Sequence, residues 1–277
     1  MTRSESGTEP AQLTVSTPTH EPGDQTSINW VTPNWPPIQG VHALTSCCTG
    51  GVSSAGFSSL NLASHVGDDP MFVAQNRARL TTQANLPAAP CWLDQQHGNQ
   101  IVNCSVQAQN QQPPVADGCY TDQPNQVCAV LTADCLPILI RSADGLQLAA
   151  IHAGWRGLYL GVIGNGLKQF SHAGQPASAW IGPAIGSAAY QVNDELMARF
   201  INLNRDYQGC FKPVSPDSPV SPGQWQMDMT AIATQQLLAN GISEVFTSGI
   251  CCYQDQRFYS HRRNPNAGRM VTLIWRD

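Results

Sequence analysis

Two apolar runs dominate the middle of the chain, VCAVLTADCLPILI at 127–140 and LQLAAIH at 146–152. Their Val, Ile and Leu content, without polar alternation, predicts strands buried on both faces. VHALTS (41–46), ASAWIG (177–182), EVFTSG (244–249) and RMVTLIWR (269–276) predict further strands. Between them the apolar period lengthens to that of a helix. MFVAQNRARLTTQANL (71–86) follows a capping Asp69 and a first-turn Pro70, DELMARFINL (194–203) follows a capping Asn193, and MTAIATQQLLAN (229–240) runs into Gly241. LYLGVIGNGLKQF (158–170) also has helical spacing. CWLDQQHGNQIVNCSV (91–106) reads as a strand, a turn at His97-Gly98-Asn99 and a second strand.

Strands alternating with helices predict an α/β (α+β) domain with a mixed sheet. The domain spans residues 29–277 and shows no internal repeat. Residues 1–28, rich in Ser, Thr, Pro and charge, predict a disordered tail. The small-residue loop CCTGGVSSAGFSS (47–59) suits backbone approach to a ligand, and the proline-rich KPVSPDSPVSPGQW (212–225) predicts an exposed loop.

Charge narrows the choice of partner. A net charge of −5 with only 14 Lys and Arg argues against a broad nucleic-acid footprint or polybasic membrane attachment, so a small molecule is the expected partner. No apolar run approaches the roughly 18–20 residues of a membrane helix. The N-terminus lacks the pattern of a secretory signal, so the expected location is cytoplasmic. In that compartment the ten cysteines are read as reduced thiols, several of them, such as Cys119 and Cys128, acting as small hydrophobes.

Three ligand-type side chains stand at strand-to-loop junctions: His97 in QQHGN, Cys135 in TADCLP and His152 in IHAGWRG. Two imidazoles and a thiolate make a three-ligand zinc site with an open fourth position, the arrangement of catalytic zinc. Their separation is too long for a local finger, and an isolated cysteine in a buried strand is usually packing. The residues alone leave both readings open. Asp134 adds a carboxylate at a strand end, where charge is costly unless paired or used.

SSLNLASHVGDDP (58–70), CWLDQQHG (91–98), ADGCYTDQP (116–124), AVLTADCLPILI (129–140), AAIHAGWRG (149–157), WIGPAIG (180–186) and FYSHRRNPNAGRM (258–270) occur in this order. Together they resemble the signatures of the YfiH-like laccase-domain family, also called multicopper polyphenol oxidase-like proteins, over about residues 41–277. The resemblance implies a single-domain three-layer α-β-α sandwich. It implies zinc bound by His97, Cys135 and His152. It also implies phosphorolysis of purine nucleosides (adenosine, inosine and methylthioadenosine) with phosphate, adenosine deamination, and an older attribution of copper-dependent polyphenol oxidation.

Residue types discriminate among these activities. A multicopper cluster needs many histidines; the chain has seven and no His-X-His, with His20 in the tail and His172 in a turn. A His₂Cys site still accepts copper as an alternative metal. The nucleobase-deaminase signature is absent, so deamination would use another scaffold with Asp134 as proton carrier. Phosphate candidates are Arg156, Arg262 and Arg263, the last two equally readable as a solvated basic turn. Asn61 and His65 are substrate or loop residues, and Trp155 and Tyr259 stack a purine or fill the core. Cys48 stands where relatives carry arginine. His261-Arg262-Arg263-Asn264 replaces their Tyr-Arg-Arg-Asp, and Gln95-Gln96-His97-Gly98 replaces their Gln-Val-His-Gly while keeping the ligand. The leading expectation is a zinc-dependent purine nucleoside phosphorylase with adenosine deaminase activity, Cys135 and Asp134 being its catalytic residues. Its rivals are a thiol hydrolase using Cys135 and His152 and a copper-dependent phenol oxidase.

Overall fold

The computed structural model describes residues 27–107, 112–170, 177–214 and 223–277. In chain order the strands are β1 (Trp30–Val31), β2 (Val41–Ser46), β3 (Ile101–Asn103), β4 (Gly118–Thr121), β5 (Val127–Thr132), β6 (Leu136–Ser142), β7 (Leu148–Ala153), β8 (Ala177–Ile181), β9 (Gln191–Asn193), β10 (Phe211–Pro213), β11 (Gln224–Met227), β12 (Glu244–Thr247) and β13 (Met270–Arg276). The helices are α1 (Pro70–Gln83), α2 (Cys104–Gln107), α3 (Trp155–Tyr159), α4 (Val162–Leu167), α5 (Asp194–Leu203) and α6 (Met229–Ala239). All but residues 27 and 28 of the expected tail, with His20, and also His172 and the centre of the proline-rich loop, lie outside the described residues. Ile28 itself is buried beside Leu44, Leu80 and Leu273.

The caps behave as their side chains dictate. Asp69 accepts from Met71 N, Asn193 from Leu196 N and Asp228 from Ala231 N, each satisfying an orphan first-turn amide. The helix expected over 158–170 instead forms as α3 and α4, because Gly161 between them adopts φ +77°, which a continuous helix excludes. The first strand expected in 91–106 is reduced to the isolated bridges Cys91↔Cys128 and Asp94↔Val115. The two ends of the proline-rich segment pair as the hairpin β10–β11, with Lys212 opposite Gln226.

The expected mixed α/β class is what the chain adopts, and the β layer between the helices is itself double. A 4-stranded sheet in the order β1-β2-β13-β5 and a 6-stranded sheet in the order β12-β8-β6-β7-β4-β3 pack against each other, and a 3-stranded sheet, β10-β11-β9, flanks them. Alternation decides which residue faces what. On β5, Val127, Ala129 and Leu131 share a cluster with Leu80 of α1, whereas Cys128 and Val130 join the larger core that contains β6 and β7. On the other sheet a Cβ on Gly166 of α4 would meet Ile151 Cδ1 at 2.3 Å, so Ile151 faces the helices. Its neighbours in register therefore divide: Ile138 points to the helices, and Leu139, Ala150 and Cys119 point between the sheets. Among the described residues no helix is long and apolar enough to cross a membrane.

Leu139 is fully buried at this inter-sheet face. Leu139→Ala is expected to lower the unfolding free energy by about 2–5 kcal/mol. Denaturant titration checks it, and a loss well below that range would show that the two sheets are not closely packed there.

Candidate functional site

The antiparallel register of β4, β6 and β7 brings their ends together at one edge of the sheet. Ile151 pairs with Gly118 and Ala153 with Leu136, so Asp117 stands across from His152, and Cys135 beside Gly154. His152 shares the inter-sheet face with Ala150, one step beyond the hydrophobic packing, and is 4 % exposed. His97 arrives from the QQHG turn. The ligand atoms of His97, Cys135 and His152 lie within 4.8 Å of one another, and the two imidazoles meet edge to face at 4.8 Å between centroids.

Asp117 organises this meeting. Its carboxylate is buried, accepts His97 N at 2.9 Å, Gly98 N at 2.6 Å and Gln96 N at 3.2 Å, and lies 2.8 Å from His152 Nδ1. Its own carbonyl accepts His152 N. One side chain thus closes the QQHG turn and orients the imidazole, leaving His152 Nε2 for a metal or a proton. His97 takes φ +56°, a left-handed backbone held by those amide bonds. Gln95 ties the same turn to β5 through Leu131, accepting Leu131 N and donating to its carbonyl. Space is as tight as the bonding: a Cβ on Gly154 would lie 2.8 Å from Cys135 Sγ and 3.3 Å from His97 Cδ2, so only glycine leaves room for the thiol.

The electrostatics favour charge at this point. Burial opposes the Cys135 thiolate, but the His152 charge and hydrogen bonds from His152 and His97 outweigh it, and the thiol pKa falls below its ordinary value. Burial likewise opposes a charged His152, yet Cys135 and Asp117 raise its pKa. Asp117, against its own burial, is held low by His152 and the Gly98 amide. A thiolate and two imidazoles are a donor set suited to zinc, and the carboxylate behind His152 is the usual outer partner of a zinc-bound histidine.

The three donors open onto a cavity of about 390 Å³ whose lining includes His65, Asp134, Trp155, Tyr190, Arg262 and Arg269. Asp134, at φ +97°, accepts the Cys252 thiol on Oδ1 and Arg262 N on Oδ2, so it fastens the 260s loop to the site. Arg262 lies 5.3 Å from the Tyr190 ring centroid. Burial, followed by Arg269, lowers the His65 pKa, which favours the neutral ring.

Other residues singled out in the sequence lie elsewhere. Arg263 is absent from the lining; its guanidinium donates to the carbonyls of Cys252, Tyr253 and Phe258. Asn61 is buried, accepts from Ala63 N and Arg269 N and donates to Asp68, so it carries Arg269 from behind. Tyr259 is buried and donates to Phe57 O. Arg156 is exposed on α3, outside the lining; Cys48, half-buried, is also outside it, and its thiol donates to Gln256 O. Sequence reasoning missed Asp117, Tyr190 and Arg269. Asp117 and Arg269 stand inside the quoted motifs, but Asp117 there reads as a turn former and Arg269 as the first residue of a strand.

A family profile described as multi-copper polyphenol oxidoreductase laccase matches residues 42–277. A purine nucleoside phosphorylase of Haemophilus influenzae is 37% identical over 246 residues, 88% of this chain and 98% of that protein. One of Pseudomonas aeruginosa is 38% identical over 247 residues, 89% and 98% of the two chains. Among solved structures, a Neisseria meningitidis protein superposes with TM-score 0.83 at 34% identity, covering 90% of this chain and 99% of its own. YlmD of Geobacillus stearothermophilus gives 0.78 at 29% identity, covering 96% and 99%.

Asp117→Asn keeps the size of the side chain and removes its charge. Metal affinity, measured by competition with a chromophoric chelator, is expected to fall about 10- to 100-fold. Gly154→Ala is expected to lower metal stoichiometry while far-UV circular dichroism is retained; full metal loading in that variant would contradict the packing described.

Proposed function

The chain belongs to the multi-copper polyphenol oxidoreductase laccase family, and from that premise we propose that it is a zinc-dependent purine nucleoside phosphorylase with adenosine deaminase activity, built on one catalytic domain over residues 29–277. The observation that carries this reading is the convergence of His97, Cys135 and His152 on a cavity that also holds two guanidinium-bearing side chains and two aromatic rings. The names of the relatives supply the reaction class.

Each requirement of phosphorolysis has a candidate in the lining. A guanidinium holds phosphate oxygens by paired, charge-assisted hydrogen bonds; Arg262 and Arg269 line the cavity, and Arg262 is the better candidate because Arg269 Nη1 already donates to the carbonyls of Ala267 and Gly268. Trp155 and Tyr190 offer faces on which a purine stacks. A cavity of about 390 Å³ is within the usual range for small-molecule sites. The glycosidic C–N bond breaks as a phosphate oxygen bonds to the sugar carbon, and the departing base takes up a proton, for which the imidazole of His261 lies in the lining. Asp134 positions Arg262 through its backbone amide. Zinc held by His97, Cys135 and His152 would supply Lewis acidity. The expected ligands are purine nucleosides (adenosine, inosine and methylthioadenosine) with phosphate.

A second reading follows from the lowered pKa of Cys135 beside a raised His152: without metal, the pair is a thiolate nucleophile and its acid–base partner. Zinc protection of Cys135 from alkylation distinguishes the two. A thiol hydrolase stays alkylatable and active when zinc-loaded.

Zinc-loaded protein is expected to convert adenosine and phosphate to adenine and ribose 1-phosphate, and adenosine without phosphate to inosine, both followed by chromatography. Cys135→Ala should lose the metal held with His97 and His152 and both conversions. No base release with full metal loading would refute the phosphorylase. Loss of one charge-assisted contact, about 1.5–3 kcal/mol, predicts that Arg262→Ala raises the phosphate KM about 10- to 100-fold. Arg263→Ala should lower the melting temperature and leave that KM nearly unchanged.

A further inference from the structure

Behind the candidate active site, four cysteines meet in the core between the two sheets. The sulfurs of Cys91, Cys104 and Cys119 lie within 4.8 Å of one another, and Cys128 Sγ is 3.5 Å from Cys104 Sγ. Cys128 lies outside that trio and joins it through Cys104. Cys104, Cys119 and Cys128 are buried and Cys91 is half-buried. Each sheet supplies one, Cys128 from β5 and Cys119 from β4; Cys91 is bridged to Cys128, and Cys104 opens α2 directly after β3.

We propose that Cys91, Cys104, Cys119 and Cys128 form a second, closed metal site that takes one zinc ion and clamps the two sheets together. Four thiolates around one Zn²⁺ at about 2.3 Å stand about 3.8 Å apart if tetrahedral, near the observed Cys104–Cys128 separation. A disulfide would require about 2.05 Å. Assembly forms four Zn–S bonds and breaks four S–H bonds, Zn²⁺ + 4 RSH → [Zn(SR)₄]²⁻ + 4 H⁺, with no change of oxidation state. The buried negative charge meets a donor already in place, since Ala129 N points at Cys119 Sγ at 3.4 Å. Burial holds the Cys128 thiol well above its ordinary pKa, so the cluster without metal is protonated and a thiophilic cation must displace those protons. None of the four belongs to the close Cys-X-X-Cys spacing of zinc fingers, which is why sequence reasoning treats them as packing.

The site is independent of the phosphorylase reading. It has no opening to the substrate cavity, whose lining includes none of the four cysteines. It does brace that site: Cys119 stands two residues after Asp117 on β4, and Cys91 leads into the segment that ends at His97. Losing the ion should therefore loosen the active site without removing any of its own ligands.

Metal analysis of the full chain, purified reduced with zinc, tests this. Wild type is expected to hold about two zinc per chain, and the His97→Ala/His152→Ala double variant and Cys119→Ser about one each. Cobalt replacing zinc in the double variant should show the strong red ligand-field bands and near-ultraviolet charge transfer of a tetrahedral tetrathiolate. A folded double variant without metal overturns the proposal. If variants fail to fold, native alkylation and peptide mapping of wild type decide: the four cysteines should become reactive together only when the second zinc is stripped. Zinc loading that ends at about one per chain, or a Cys104–Cys128 disulfide in protein purified reduced, contradicts the site.

Discussion

One buried carboxylate holds the candidate site together. Asp117 accepts three consecutive amides of the QQHG turn and the Nδ1 side of His152, linking two chain segments that share no local sequence relation. A buried carboxylate without partners would be expensive; with four charge-assisted contacts it is an anchor. The left-handed backbone at His97 and the tautomer of His152 follow from it. The position of Cys135 is set differently, by strand register and by the missing side chain at Gly154.

The fold makes that anchor possible because the sheet ends of β4, β6 and β7 are neighbours and their inner faces are packed against a second sheet. His152 belongs to the core by its face and to the cavity by its place at the strand end. Rigidity for the metal donors thus comes from inter-sheet packing, whereas the 251–268 segment adds His261 and Arg262 to the cavity wall. Asp134 joins the two regions through Cys252 and Arg262. Asn61, buried outside the lining, holds Arg269 N.

Much of the secondary structure was legible because periodicity reports burial directly: β2, β8, β12, β13, α1, α5 and α6 follow their apolar spacing and caps. The doubling of the sheet was not, since a strand buried on both faces has the same apolar run whether helices or another sheet cover it. Residue type at strand-to-loop junctions made His97, Cys135 and His152 candidates and left packing open; the family resemblance chose between the two readings, and the structure brings the three together. The direction of a guanidinium was not. Arg262 and Arg263 are adjacent in sequence, yet one lines the cavity and the other holds three backbone carbonyls. Asp117 escaped notice because an Asp-Gly pair ordinarily marks a turn, and its role exists only through the segment at 96–98.

The most direct test of this arrangement is the protonation of the two His152 nitrogens, read by ¹⁵N NMR of histidine-labelled protein before and after zinc is added. The carboxylate of Asp117 predicts a proton on Nδ1 in both states and a zinc-dependent shift confined to Nε2. Loss of the Nδ1 proton on zinc binding, or no response at Nε2 in metal-loaded protein, would contradict the role assigned to Asp117 and to His152 as a metal donor.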